Sequence, residues 1–211
     1  MSSIKKIPNS TIARLYLYLR ELNSLAQMKI DRVSSTDFGK RTNLSDAQIR
    51  KDLNYFGNFG VTGVGYNVSE LIAALEKILG KDKTFNVGVI GAGSLGSALI
   101  RYRGFKKRNL NLVAAFDVRE EIVGSSINGV FIYHIDQLEE IVKREMITIA
   151  AVAVNEDKAQ SVVDKLVASG IKCLLNFAPV LIVVPDDVKI SNVDMSVELE
   201  VLSYFLAQNG Q

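Results

Sequence analysis

The stretch "NVGVIGAGSLGSALI", Asn86 to Ile100, constrains this chain more than any other. A short apolar, β-prone run leads into Gly91, Gly93 and Gly96, and an apolar helical pattern follows. That order places a G-x-G-x-x-G loop between a strand and a helix. The first glycine permits a tight turn, the second lets backbone approach a pyrophosphate, and the third lets helix and strand pack closely. The helix N-terminus then turns unpaired N–H groups and its positive dipole end toward the phosphates. Gly91, Ala92, Gly93, Ser94, Leu95 and Gly96 are therefore predicted to hold a dinucleotide. Asp117 ends the next apolar run, 21 residues after Gly96. A carboxylate there accepts hydrogen bonds from the adenosine ribose and repels a 2′-phosphate, which favours NAD(H) over NADP(H). Arg119, close by, works against that preference.

Further apolar runs at Leu112–Phe116, Val130–Ile132, Ile147–Val154 and Cys173–Leu175 alternate with helical patterns at 95–105, 136–143 and 158–169. Alternating β and α with near-continuous apolar strands predicts a doubly wound parallel sheet covered on both faces. A last helix over 197–208 carries Leu199, Leu202, Phe205 and Leu206 as an apolar stripe and has no place on that sheet. Packing on another subunit is the expectation.

Little in this half can catalyse. His134 is the only histidine and follows "VFIY" at a strand end, where a surface or structural role is expected. Cys173 reads as buried, inert core. Its being the one cysteine excludes an intrachain disulfide. The inventory predicts binding without turnover.

The first 80 residues have a different period. "STIARLYLYLRELNSL" spaces Ile12, Leu15, Leu19 and Leu22 as a helix, with Ser10 or Asn9 as its cap. A short helix follows Ser34 or Ser35. A third runs from Ser45 to Phe56, with Ile49, Leu53 and Phe56 inward and Gly57 as its stop. "NFGVTGVGYNV" reads as a hairpin, and a helix over 69–79 comes next. The polar "GKDKT", Gly80 to Thr84, is the predicted boundary, giving units over 1–80, 85–193 and 194–211. Two short helices joined by "RTN" and followed by a glycine-rich hairpin describe a winged helix-turn-helix. Residues 1–84 hold 13 Lys/Arg against 8 Asp/Glu, so the basic half is the one patterned to meet a polyanion. Gln48, Arg50, Lys51 and Asn54 would face base edges or phosphates, joined by Tyr55 and by Gly60 of the wing. Ser34, Ser35 and Ser45 would bond phosphates through N–H groups and hydroxyls. The N-terminus lacks the apolar stretch of a secretory signal, and no apolar run reaches the ~18 residues of a membrane span. A cytoplasmic location is expected.

With these motifs in hand, the sequence resembles the Rex family of bacterial redox-sensing repressors. The resemblance rests on "IPNSTIARLYLYLREL", "VSSTDF", "QIRKDLNYFG", "GVGYNV", "GVIGAGSLGSALIRYRGF", "AAFD", "AQSVVDKLVASGIKCLLNFAPV" and "VDMSVELEVLSYFL". It implies a homodimer with a C-terminal helix swapped between subunits, binding palindromic double-stranded operator DNA. It also implies release by NADH, with NAD⁺ competing weakly or favouring the DNA-bound form. Carried over by motif, Tyr102 is the tyrosine that changes partners between nucleotide states. Arg14 and Asp194 are its partners, Asn176, Phe177, Ala178 and Pro179 lie near the nicotinamide, and Arg50 and Lys51 read DNA. Two positions depart from the family pattern: Thr62 in the wing, where a basic residue is usual, and Asn155, where proline is common. Two rival readings remain at this point: an NAD-dependent oxidoreductase with a helical dimerisation domain, and a CoA- or nucleotide-binding module.

Overall fold

The computed structural model describes residues 7–61 and 63–209, so the Thr62 position lies outside the described residues. Two compact units divide at Lys83 and Thr84.

The first unit opens with α1 (Asn9–Gln27). Pro8, and neither Asn9 nor Ser10, stands at the cap: its fixed φ of −61° suits the last residue before the helix, and no side chain caps the turn. After the two-residue strand β1 (Arg32–Val33), α2 (Ser35–Thr42) and α3 (Asp46–Leu53) start on serine caps. Ser34 accepts from the Asp37 N–H and Ser45 from the Gln48 N–H. Helix α3 stops at Leu53, short of the expected Phe56, and Phe56 is half-buried in the turn beyond. The turn between α2 and α3 depends on Gly39, where a Cβ would lie 2.6 Å from the Leu44 carbonyl oxygen. Strands β2 (Gly60–Val61) and β3 (Gly65–Asn67) form the hairpin, and β1 adds to make a sheet of order β1-β3-β2. Helix α4 (Val68–Ile78) closes the unit. Leu15, Tyr18, Leu22, Phe38, Ile49, Leu53, Leu71 and Leu75 make one core, which the inward stripes of four helices predict. This is a winged helix-turn-helix.

The second unit is a seven-stranded sheet. Its strands are β4 (Phe85–Ile90), β5 (Leu110–Asp117), β6 (Ser126–Ile127), β7 (Val130–His134), β8 (Ile147–Val152), β9 (Cys173–Asn176) and β10 (Lys189–Asn192). Their spatial order is β10-β9-β8-β4-β5-β7-β6, and β6 alone runs antiparallel. The parallel strands reverse direction of winding at β4, next to β8, so the crevice beyond the ends of these strands is where such a sheet binds ligands. Helix α5 (Ser94–Arg101) follows β4, while α6 (Leu138–Arg144) and α7 (Glu156–Ala168) flank β8.

Cover on the two faces is unequal. One carries α6, α7 and a core of Phe116, Ile141, Val152, Val163 and Leu166; the other has a smaller core around α5, with an apolar hollow of about 70 Å³ lined by Val87, Leu99, Leu112, Ile149 and Leu175. Cys173 shares Leu175's side of β9 by strand alternation and is exposed. The expectation of a buried cysteine therefore fails, because eight residues of α5 do not reach across to the start of β9. Helix α8 (Met195–Asn209) has its described side chains exposed almost throughout, Leu199 by 67% and Leu206 by 74%.

Candidate nucleic-acid groove and nucleotide crevice

In the first unit, a groove of about 440 Å³ lies between the start of α2, the end of α3 and the hairpin. Ser34, Ser35, Arg50, Asn54 and Gly60 line it together, so five of the nine residues expected to meet DNA come to one place. Lys51 is exposed on α3 with no ion pair among the described residues; Arg50 is exposed and pairs with Asp46 at 2.8 Å. The hairpin is held close by glycine: at Gly65, with φ of +90°, a Cβ would meet the Val33 carbonyl oxygen at 2.3 Å.

The other expected DNA residues lie differently. Tyr55 is half-buried beyond α3. Ser45 caps α3 on the turn between the helices, away from the groove. Gln48 points inward, its amide donating to Asp52 Oδ1 at 2.9 Å.

Asp52 is the residue that sequence reasoning passed over. It is fully buried and accepts from Arg14, from Tyr18 at 2.7 Å, from Thr11 at 3.1 Å and from Gln48. Arg14 engages both carboxylate oxygens, Nη2 donating to Oδ1 at 2.7 Å and Nε to Oδ2. Burial opposes the Asp52 charge, but the bonds from Arg14, Tyr18 and Thr11 outweigh it and hold its pKa below the ordinary carboxylate value. Burial and the bond to Asp52 push the Tyr18 phenol up. Arg14, expected to partner Tyr102 and Asp194, thus spends its guanidinium inside the first unit, tying α1 to α3.

In the second unit, the glycine loop meets the physical demands of a pyrophosphate cradle. Gly91 has φ of +91°, and a Cβ there would lie 2.4 Å from the Ala153 carbonyl oxygen. A Cβ on Gly96 would lie 1.8 Å from the Gly91 carbonyl oxygen, so α5 can approach the strand only through a glycine. A Cβ on Gly93 would meet nothing within 4 Å, which leaves its backbone open to a ligand. Ser94 and Leu95 form the first turn of α5 above this opening.

Asp117, at the end of β5, accepts from the Ala92 N–H at 2.8 Å and so fixes the loop. Arg119 clasps the same carboxylate, Nε to Oδ1 at 3.0 Å and Nη2 to Oδ2 at 2.9 Å. Burial works against this charge, but the bonds from Arg119 and from the Ala92 and Arg119 N–H groups hold the Asp117 pKa down at about 2. Gly91, Gly93, Asp117, Arg119, Asn155, Lys158, Ser161 and Lys165 border one crevice of about 560 Å³.

The remaining expected residues fall outside that lining. Tyr102 ends α5, is exposed, and stacks edge-on against Phe105 with ring centroids 5.0 Å apart. Gly104 permits this pose, since a Cβ there would lie 2.3 Å from the tyrosine ring. That stacked turn ends the helix before Phe105, where the pattern predicted its close. Asn176 is fully buried and spends its amide locally, donating to Asn192 Oδ1 and the Ala178 carbonyl at 3.0 Å each and accepting from the Ala178 N–H. It locks the loop of Phe177, Ala178 and Pro179 between β9 and β10. Asp194 caps α8, accepting from the Ser196 N–H at 2.9 Å. His134 caps a 3₁₀ turn through Nδ1, a structural task.

A winged helix-turn-helix followed by a dinucleotide-type sheet defines a DNA-binding regulator built on a nucleotide-binding fold. Family models agree with each half: one described as "Putative DNA-binding protein N-terminus" matches residues 6–54, and one described as "CoA binding domain" matches residues 82–180. The redox-sensing transcriptional repressor Rex of Syntrophomonas wolfei is 47% identical over 206 residues, 98% of both chains. That of Carboxydothermus hydrogenoformans is also 47% identical, over 94% of this chain and 96% of the relative. Among solved structures, RSP with beta-NAD+ and operator DNA superposes with a TM-score of 0.91 at 40% identity, covering 97% of this chain and 94% of that one. RSP with beta-NADH gives a TM-score of 0.85 at 38% identity, covering 98% and 97%. The chain belongs to the Rex family of redox-sensing transcriptional repressors.

Proposed function

We propose that the chain is a homodimeric repressor, not an enzyme, that reads palindromic operator DNA with residues 1–80 and releases it when NADH occupies the crevice of residues 85–193. The observation that carries this reading is that one chain holds both a groove lined by Arg50, Asn54 and two serines and a glycine cradle shaped for a pyrophosphate. RSP, with structures holding beta-NAD+ and operator DNA or beta-NADH, supports it. The exposed apolar side chains of α8 support a swapped dimer contact over 194–211, since a helix left with Leu199, Leu202 and Leu206 in water is covered by a partner at a gain of about 1.5–3 kcal/mol for each fully buried side chain. Work on DNA supports a cytoplasmic location; no helix among the described residues is long and apolar enough to cross a membrane.

Two dimer arrangements differ in the spacing of their α3 helices. One matches half-sites roughly 34–36 Å apart. The crevice residues must favour the nucleotide more strongly in the other arrangement, or binding shifts nothing. Tyr102, Arg14 and Asp194 are our choice for the contacts that differ, while Arg14 keeps its pair with Asp52 through Nε and Nη2. A gel-shift titration on promoter DNA with NADH, NAD⁺, NADPH and CoA tests the reading: NADH releases the DNA, and saturating operator weakens NADH binding by the same factor. An NADH affinity indifferent to operator overturns the switch. Consumption of NADH with a small carbonyl substrate points instead to an oxidoreductase, and displacement of NADH by CoA to a CoA-binding module.

A further inference from the structure

We propose that the second unit carries a separate anion site, which takes a chain of phosphates, at the opposite ends of the strands from the glycine crevice. Helix α5 ends at Arg101, and the chain then continues through "YRGFKKR" to Arg108. Arg101, Arg103, Lys106, Lys107 and Arg108 are all exposed, and none has an ion pair among the described residues. The helix C-terminus, which favours cations, accounts for Arg101 alone. Lys106, Lys107 and Arg108 stand on a 3₁₀ turn of their own. The Arg108 and Leu110 N–H groups pin that turn by donating to the Phe105 carbonyl at 2.8 and 3.1 Å. Three cations in a row on a pinned turn repel one another, and a bound anion relieves that repulsion.

The turn borders an open hollow of about 880 Å³, lined by Tyr102, Arg103, Phe105, Lys106, Lys107 and Asn128 among others. Its walls come from the end of α5, residues 110–113 of β5 and the turn before β7. No Asp or Glu occurs between Asp82 and Asp117 or between Glu121 and Asp136, so these walls hold no carboxylate. Strand β5 separates the two sites: Leu110 borders the hollow and Asp117 the crevice, about 23 Å apart at the rise of a strand. A concave site lined by one sign of charge concentrates counter-ions. Arginine's fork and lysine's point charge both suit phosphate oxygens. Tyr102, 57% exposed, adds ring surface. A compact ligand fits this site better than a duplex does. Residues 85–211 hold 12 Lys/Arg, five of them in this one stretch, against 15 Asp/Glu, so a duplex lying across the unit meets mostly repulsion. A short phosphate chain meets only the hollow.

The test is calorimetric titration of the full-length protein, saturated with NADH so that the crevice is filled, with inorganic tripolyphosphate, GTP and guanosine. Tripolyphosphate and GTP are expected to bind, and guanosine is not. The double variant Lys106→Ala, Lys107→Ala weakens both phosphate probes by about tenfold or more and leaves NADH affinity unchanged, which also shows that it is folded. The double variant Lys143→Ala, Lys172→Ala removes the same charge from elsewhere on the unit and costs less than about twofold. GTP bound about tenfold tighter than tripolyphosphate makes a nucleoside triphosphate the ligand, with its ring against Tyr102. Equal affinities make it the phosphate chain alone, and either result upholds the site. Two results overturn it: no binding of either phosphate probe at about millimolar concentration, or equal losses in the two double variants. If NADH itself fails to bind, the dinucleotide reading falls, and the same titration without NADH still decides this one.

Discussion

Each half of this molecule buries one carboxylate against one arginine, and the two pairs are built for opposite purposes. Asp52 and Arg14 stand 38 residues apart and join α3 to α1; Asp52 is fully buried, and Tyr18, Thr11 and Gln48 complete its shell. Asp117 and Arg119 stand two residues apart, and Arg119 lies half in solvent. The first pair is a tether: it fixes the helix that carries Arg50 and Lys51. The second is a clasp over the crevice, local enough to open without unfolding anything. A buried ion pair makes structure when its partners come from different elements, and makes a gate when one partner can swing away.

The largest effect expected from breaking the comparison is at the tether. Asp52→Ala leaves Arg14 beside an emptied, buried site and costs about 3–5 kcal/mol of stability in the first unit, read from hydrogen exchange of α1 and α3 amides. Operator binding falls with it. The double variant Arg14→Met, Asp52→Leu recovers much of that loss, because the cost lies in the orphaned charge more than in the missing bond. If Asp52→Ala is as stable as the parent chain, the tether is not one.

Asp117→Asn is expected to cost about 2 kcal/mol at neutral pH, from a carboxyl held at about 2 against its ordinary 3.8. A depressed folded-state pKa contributes stability that is complete above about pH 4 and is lost as the pH falls toward 2. The parent chain therefore loses this increment in acid, and Asp117→Asn, lacking it at every pH, shows a flatter acid limb in the second unit. Parallel acid curves would show that the clasp stores no such energy.

Lys51→Ala sharpens the comparison from the function side. Lys51 is exposed and has no ion pair among the described residues, so its removal leaves the tether and the fold intact. If it meets a phosphate, binding weakens evenly across operator sequences and the salt slope drops by about 1. Loss of discrimination at a single base position instead assigns it to base reading.

What the chain disclosed in advance follows the same division between local and distant contacts. The glycine loop was legible because a positive φ at Gly91 and the close approach at Gly96 each demand glycine at a fixed spacing. The caps at Ser34 and Ser45 were legible because they bond three residues ahead. The Asp52 cluster was not, since its members come from two helices, and Arg14 and Gln48 carry polar heads that suit solvent equally well. Strands β1, β6 and β10, of two to four residues, are too short to show a period. Cys173 was misjudged because an apolar run reports burial of a strand and not which of its faces a helix reaches.

The smallest expected effect is on stability in Arg119→Ala, and its smallness is the point. Arg119 bonds a carboxylate two residues away, so removing it loosens nothing between elements. Asp117 keeps three backbone donors, from Ala92, Val118 and Arg119 itself, so its charge loses only part of its support with the guanidinium. The thermal midpoint falls by less than in Asp117→Asn, since Arg119 supplies part of what holds the Asp117 pKa down, while two acceptor positions on Asp117 become free. NADH binding is then expected to hold or tighten, a change at the crevice with only a small loss of stability. A fall in the thermal midpoint comparable to that of Asp117→Asn would make Arg119 a second tether and erase the distinction between the two halves.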